Sequence, residues 1–175
     1  MWTQDGYLAA YHFAARAHHG QIYVGTDLPY ILHLAFVSME VIAALRDHPE
    51  RDGDLAVQCA LLHDVIEDTQ VGHAEVAAAF GQVVADGVLA LSKDVSLPKG
   101  EQMADSLRRI RLQPPEVWMV KLADRICNLQ PPPAHWTAKK AAGYRDEAEQ
   151  IYAALAEASP ALAGRLRGKI AGYGR

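Results

Sequence analysis

Apolar residues recur at every third or fourth position along nearly the whole chain, and no stretch alternates β-branched with polar residues as a half-buried strand would. That periodicity predicts an all-α fold. In YLAAYHFAARAHH, residues 7–19, Leu8, Tyr11, Ala15 and His18 share one helical face. GQIYVGTDLPY follows, and its Gly20, Gly25, Asp27 and Pro29 predict a loop. A second helix is expected from His33 to Leu45, and a third over LAVQCALLHDVIED with Asp54 as its N-cap. HAEVAAAFGQVVADGVLALS reads as one or two helices, and SKDVSLPKGEQ as a polar loop with room to move. SLRRIRL reads as a short basic helix ending at Pro114 and Pro115. VWMVKLADRICNL is then an apolar helix stopped by Pro131, Pro132 and Pro133. TAKKAAGYRDEAEQIYAALAEA is amphipathic, with Glu147, Ile151 and Leu155 four apart, and a basic tail with three glycines near its end closes the chain.

The 175 residues suit one domain, residues 1–175, with a single core. Seventeen Lys and Arg against twenty-one Asp and Glu give a net charge of -4, which argues against nucleic acid as the main partner. A local cluster of cations can still bind a small anion on such a protein. Cys59 and Cys127 lie far apart in apolar runs and read as reduced core residues. No apolar run reaches the roughly 18 residues of a membrane span, and MWTQDGYLAA has no basic, then apolar, leader pattern. The expectation is a cytoplasmic protein with no membrane partner; a homodimer stays open.

The segment richest in chemistry is ALLHDVIEDT, residues 60–69. On a continuous helix His63 and Glu67 are four apart, as are Asp64 and Asp68, so both pairs project to one side. Carboxylates crowded in this way repel one another unless a cation offsets them. In VKLADRICNL, Asp124 and Arg125 interrupt an apolar helix, either as one solvated ion pair or as part of a site. His33 opens the helix after the loop, as a structural imidazole or a ligand. Two imidazoles and two carboxylates without a thiolate suit Mn²⁺, Fe²⁺ or Zn²⁺ in an open site better than structural zinc.

These segments resemble the HD-domain metal-dependent phosphohydrolases, whose signature is H…HD…D on separate helices. AARAHHGQ, PYILHL, ALLHDVIEDT and VKLADRICNL recur in the order of the hydrolase domain of RelA/SpoT-type alarmone enzymes, and YRDEAEQIYAALA is similar to the helix that follows there. The resemblance covers roughly residues 7 to 157. It implies His33, His63, Asp64 and Asp124 as metal ligands, usually for Mn²⁺, and Glu67 and Asp68 as the catalytic carboxylates. Glu67 is the better candidate for activating the nucleophilic water, and Asp68 for donating a proton or supporting it. The implied reaction removes the 3′-pyrophosphate from a nucleotide alarmone, (p)ppGpp or (p)ppApp. The long family members' synthetase and regulatory regions have no room in 175 residues, so the chain looks like a small stand-alone hydrolase.

By the same resemblance Asn128 contacts the nucleoside, and Lys121, Arg125, Lys139, Lys140 and Arg145 are candidates for the 5′-phosphates, each otherwise a surface charge. Tyr144 sits on the substrate-side helix, and Trp136 is expected to staple that helix to the core rather than wall the pocket. The loop GQIYVGTDLPYI is one residue longer than the family's and places Tyr23 near the Arg that stacks on guanine there; no Lys or Arg lies between Gly20 and His33. Gln130 and Pro131 stand where the family often has Arg-Thr. Tyr23 can stack on a purine but brings no guanidinium. The alternatives are a phosphohydrolase of another 3′- or 2′-phosphorylated nucleotide such as NADPH, and a nonenzymatic nucleotide-binding module.

Overall fold

The computed structural model describes residues 1–133 and 135–174. Ten α-helices follow one another among them: α1 (Gln4–Ala17), α2 (Ile31–Leu45), α3 (Gly53–Leu62), α4 (Val65–Asp68), α5 (His73–Phe80), α6 (Gln82–Leu91), α7 (Lys99–Ile110), α8 (Pro115–Asn128), α9 (Ala138–Leu155) and α10 (Pro160–Gly172). An isolated antiparallel bridge between Ile22 and Pro29 pinches the loop after α1. The all-α expectation holds.

Helix α8 is the axis. It packs against α2, α3, α6, α9 and α10, and apart from its two ends and Trp118 it is buried all round. Such a helix sits in the centre of its domain. Pro114 and Pro115 do not merely end the preceding helix: Pro115 occupies the first turn of α8, where its missing N–H costs nothing. Charged residues on a buried helix need partners. Glu116 accepts a hydrogen bond from the Asp52 backbone N–H at 3.0 Å, while Lys121 and Arg125 find carboxylates described below.

Several boundaries differ from the sequence reading. The buried face of α1 is Ala10 and Ala14 continuing into His18; Leu8 is half exposed, because alanines let α1 lie close on α3. Asp52, not Asp54, caps α3 by accepting from the Leu55 N–H; Asp54 instead accepts from the backbone N–H and hydroxyl of Thr3 and ties down the N-terminus. α5 and α6 are two helices, divided at Gly81, whose φ of 89° is open to glycine without strain. α6 approaches closely because Gly87 has no side chain: a Cβ there would meet Val117 Cγ2 at 2.9 Å and Cys59 Sγ at 3.0 Å. α7 already begins at Lys99, so the polar loop is shorter than SKDVSLPKGEQ. The glycine-bearing tail forms a further helix, α10, capped by Ser159 and burying Leu162, Leu166 and Ile170. Glu40 of α2 receives a bidentate pair from Arg165 that fixes α10 on the bundle.

Candidate metal and nucleotide site

The expected third helix does not run through to Asp68. α3 stops at Leu62, His63 and Asp64 form a turn, and Val65–Asp68 make a separate short helix. The His63 side chain helps to cause the break: its Nδ1 bonds to the Ala60 carbonyl at 2.8 Å, the carbonyl an unbroken helix offers to the Asp64 N–H. Neighbours on a continuous helix point about 100° apart. The break turns His63 and Asp64 onto one point instead, with His63 Nε2 3.0 Å from Asp64 Oδ2.

His33, from the first turn of α2, meets them there. Its Nε2 lies 3.3 Å from His63 Nε2, 3.6 Å from Asp64 Oδ2 and 3.5 Å from Asp124 Oδ1. Asp124, from α8, also stands 3.7 Å from His63 Nε2. Because His63 Nδ1 bonds to the Ala60 carbonyl, Nε2 is the nitrogen that faces the centre. Two imidazole nitrogens and two carboxylates thus converge in a buried space, and His33, His63 and Asp64 are the closest-set group. A divalent cation fits this donor set: it relieves carboxylate repulsion and offers the facing nitrogens a common partner.

The surroundings hold these groups in place. Tyr30 donates its hydroxyl to Asp64 Oδ2 at 2.5 Å, and burial together with that carboxylate pushes the phenol far up. Lys121 Nζ donates to Asp124 Oδ2 at 3.1 Å and Asn128 Nδ2 to Asp124 Oδ1 at 2.5 Å. Burial acts to raise the Asp124 carboxyl, but the Lys121 ammonium and the two imidazoles outweigh it and hold it well below the usual range. Burial likewise opposes charge on His63, but the facing carboxylates hold its pKa well above the usual imidazole value. Asp124 and Arg125 are not a solvated pair. Both are buried, and Arg125 turns away to Glu147 Oε2 at 3.1 Å and lies over the Tyr144 ring at 4.2 Å.

Glu67 and Asp68 leave α4 toward different neighbours. Glu67 Oε2 accepts from the Lys93 backbone N–H at 2.8 Å, with the Lys93 ammonium 3.9 Å from Oε1. Asp68 Oδ2 accepts from Gln21 Nε2 at 3.3 Å. Lys93 was not singled out from the sequence, where a lysine just after a helix carries no signal of its own.

Beside the buried cluster lies a cavity of about 510 Å³ lined by Tyr23, Asn128, Gln130, Trp136, Tyr144 and Tyr173, among others. Tyr23 stacks over the His33 ring, 5.6 Å between centroids at 20°. Trp136 lies edge-on to Tyr144 at 5.4 Å, with Lys140 Nζ 4.2 Å from its ring, so it walls the cavity rather than stapling α9 to the core. Tyr173 reaches it from the end of α10 and was missed because that helix was not foreseen. Burial pushes the Tyr144 phenol up to about 12. Of the five cations proposed for phosphates, Lys121 and Arg125 are buried and already paired, whereas Lys139, Lys140 and Arg145 are exposed on α9.

The family model described as HD domain matches residues 10–161. The chain is 31% identical to a guanosine-3′,5′-bis(diphosphate) 3′-pyrophosphohydrolase of Danio rerio over 166 residues, which cover 91% of this chain and 89% of the relative. It is 37% identical over 153 residues to an enzyme of the same name from Vibrio cholerae, covering 84% of this chain but 21% of that longer relative. Among solved structures it superposes with a TM-score of 0.82 on a metazoan ortholog of SpoT described as hydrolysing ppGpp, over 98% of this chain and 97% of the other, at 24% identity. At that identity the superposition speaks to the fold.

Proposed function

From the premise that this chain belongs to the HD-domain family, among relatives of the RelA/SpoT type, we propose that it is a metal-dependent hydrolase of guanosine 3′,5′-bis(diphosphate). The observation that carries this reading is the convergence of His33, His63, Asp64 and Asp124 beside an aromatic cavity large enough for a nucleoside. These four residues would hold the ion, and Mn²⁺ suits their mixed nitrogen and oxygen donors. When bound, it supplies positive charge against which phosphoryl oxygens are polarised and water becomes more acidic.

The protein's own groups divide the remaining work. Glu67, with one oxygen held by the Lys93 N–H, orients and takes a proton from the attacking water. The water oxygen bonds to the phosphorus attached at the ribose 3′-oxygen, the 3′-O–P bond breaks, and the 3′-oxygen leaves with a proton from Asp68 or a water it holds. The products are pyrophosphate and the nucleoside 5′-diphosphate. Tyr23, Trp136 and Tyr144 enclose the base, and Lys140, which lies over the Trp136 ring, attracts the 5′-phosphates together with the exposed Lys139 and Arg145 of α9. Because rings replace a guanidinium at Tyr23, the cavity accepts adenine as well as guanine, and ppApp is a second substrate. The NADPH and binding-module alternatives are not favoured, since the similar proteins are named for the guanosine bis(diphosphate) reaction.

The test is a Mn²⁺-supplemented assay of ppGpp, ppApp and NADPH side by side, with products resolved by anion exchange. Equal amounts of GDP and pyrophosphate from ppGpp are expected. Absence of turnover with every divalent ion, in a folded protein, overturns the reading.

A further inference from the structure

AARAHHGQ enters the resemblance without giving the reaction a residue, yet its His18 and Gln21 lead to Asp68. His18 ends α1 with its ring 4% exposed, packed against Tyr30 at 4.9 Å between centroids. His18 Nδ1 and Gln21 Oε1 are 2.7 Å apart, and the other end of the same amide, Nε2, donates to Asp68 Oδ2 at 3.3 Å. The Gln21 backbone is clamped at both groups: its N–H donates to the His18 carbonyl at 3.0 Å and its carbonyl accepts from the Tyr30 N–H at 2.9 Å.

The chemistry of the groups fixes the order of the chain. The Gln21 amide turns its NH₂ to Asp68, Nε2 donating to Oδ2. Its oxygen then faces His18, and two acceptors cannot share a hydrogen, so Nδ1 carries the proton. Were the amide reversed, its oxygen would oppose the carboxylate. His18 therefore fixes which way Gln21 faces, and Gln21 fixes Asp68. Asp68 needs this restraint, because it is exposed at the end of a four-residue helix.

We propose that His18 and Gln21 are positioning residues that hold the Asp68 carboxylate in its working orientation, with His18 acting only through Gln21. This rests on the reading above that Asp68 takes part in hydrolysis. The first experiment is a double-mutant cycle on the Mn²⁺-loaded enzyme with ppGpp. Gln21→Ala is expected to lower kcat about tenfold with KM within about twofold, the signature of an interaction that matters in the transition state. His18→Phe keeps a ring against Tyr30 but removes the donor, and should lower kcat to a similar extent. The double variant should be no slower than Gln21→Ala alone. His18→Asn, whose amide nitrogen can stand where Nδ1 stood, should recover most of the loss. Wild-type kcat in both single variants, additive losses, or a rise in KM at constant kcat would each overturn the relay while leaving the hydrolase reading intact.

A second readout is independent of turnover. In ¹H–¹⁵N spectra the Gln21 side-chain amide signals should shift on Asp68→Asn and again on His18→Phe; signals that ignore both substitutions overturn the relay. If the wild-type chain hydrolyses no alarmone, the functional reading fails, and these spectra still decide whether the relay exists.

Discussion

The buried cluster and the aromatic cavity share residues of α8, but they are built in opposite ways. The cluster takes one group each from α2 and α8 and two from the turn between α3 and α4, all fixed by packed helices and by bonds from Tyr30, Lys121, Asn128 and the Ala60 carbonyl. The cavity is walled mainly by loop residues, Tyr23 to Thr26 on one side and Gln130, Pro131, Pro133 and Trp136 on the other, with Tyr144 and Tyr173 from the edges of α9 and α10. Rigid helices hold groups to the tolerance that chemistry at one atom demands. Loops vary at less cost to the core, so a chain can change the base it reads while its reaction stays the same.

The largest effect should come from breaking the cluster. Asp124→Ala removes a proposed ligand and also strands the buried Lys121 ammonium, so bound metal and activity should be lost together. Leaving one partner of a buried pair uncompensated costs about 3–5 kcal/mol. Metal analysis and urea unfolding measure the two losses separately; a variant that keeps its metal removes Asp124 from the ligand set. Next comes Glu67→Ala, which leaves the four ligands untouched. It should retain the metal and lose activity by about 10²- to 10⁴-fold, the range general-base removal gives. Loss of metal from this variant would place Glu67 among the ligands.

The cavity should respond more weakly and in a different parameter. Tyr23→Ala removes a ring and is expected to raise KM about three- to tenfold, since aromatic stacking contributes about 0.5–1.5 kcal/mol. Tyr23→Phe should stay near the wild-type value if the ring face is what matters. Tyr23→Arg restores a guanidinium at the loop and should shift preference from ppApp toward ppGpp. A fall in kcat at constant KM in any of these would erase the division between the two regions, because Tyr23 would then act on the cluster through its stack on His33.

The same division explains what could be read in the sequence. His33, His63, Asp64 and Asp124 stand out because they open, end or interrupt apolar helices, where an unpartnered polar group is costly, and because the family's motifs fall on them. The cause of their convergence is not visible there: ALLHDVIEDT has unbroken helical periodicity, and the turn at His63 arises from a side chain taking the Ala60 carbonyl. Helix α10 escaped because Gly164, Gly168 and Gly172 look like breakers. Spaced by four, they share one face, and a Cβ on any of them would meet nothing within 4 Å, so they leave the buried Leu162–Leu166–Ile170 face intact. The cations were misjudged in the other direction. Lys121 and Arg125 read as surface charges until α8 is seen at the centre, where the partners that neutralise them come from one turn away on α8 and from Glu147 on α9.

The smallest effect tests whether the loop wall opens. Cys59 and Cys127 are both free and buried, but Cys59 lies in the contact of α3 with α6, whereas Cys127 sits on α8 between Asp124 and Asn128, near Tyr23. Burial pushes the Cys127 thiol up to about 12. At pH 8 its thiolate fraction in the closed protein is then on the order of 10⁻⁴, against roughly a quarter for a free cysteine near 8.5. The sign follows: the thiol form is favoured in the native state, and the stability this contributes is complete below about 8.5 and fades as pH rises toward 12. With a maleimide probe at pH 8, both cysteines should react slowly, but Cys127 faster than Cys59 if the loops move locally, since Cys59 needs the bundle itself to open. A nonhydrolysable ppGpp analogue should slow Cys127 and leave Cys59 unchanged. Equal rates for the two cysteines, with no protection by the analogue, would mean that the cavity wall is as rigid as the cluster beside it.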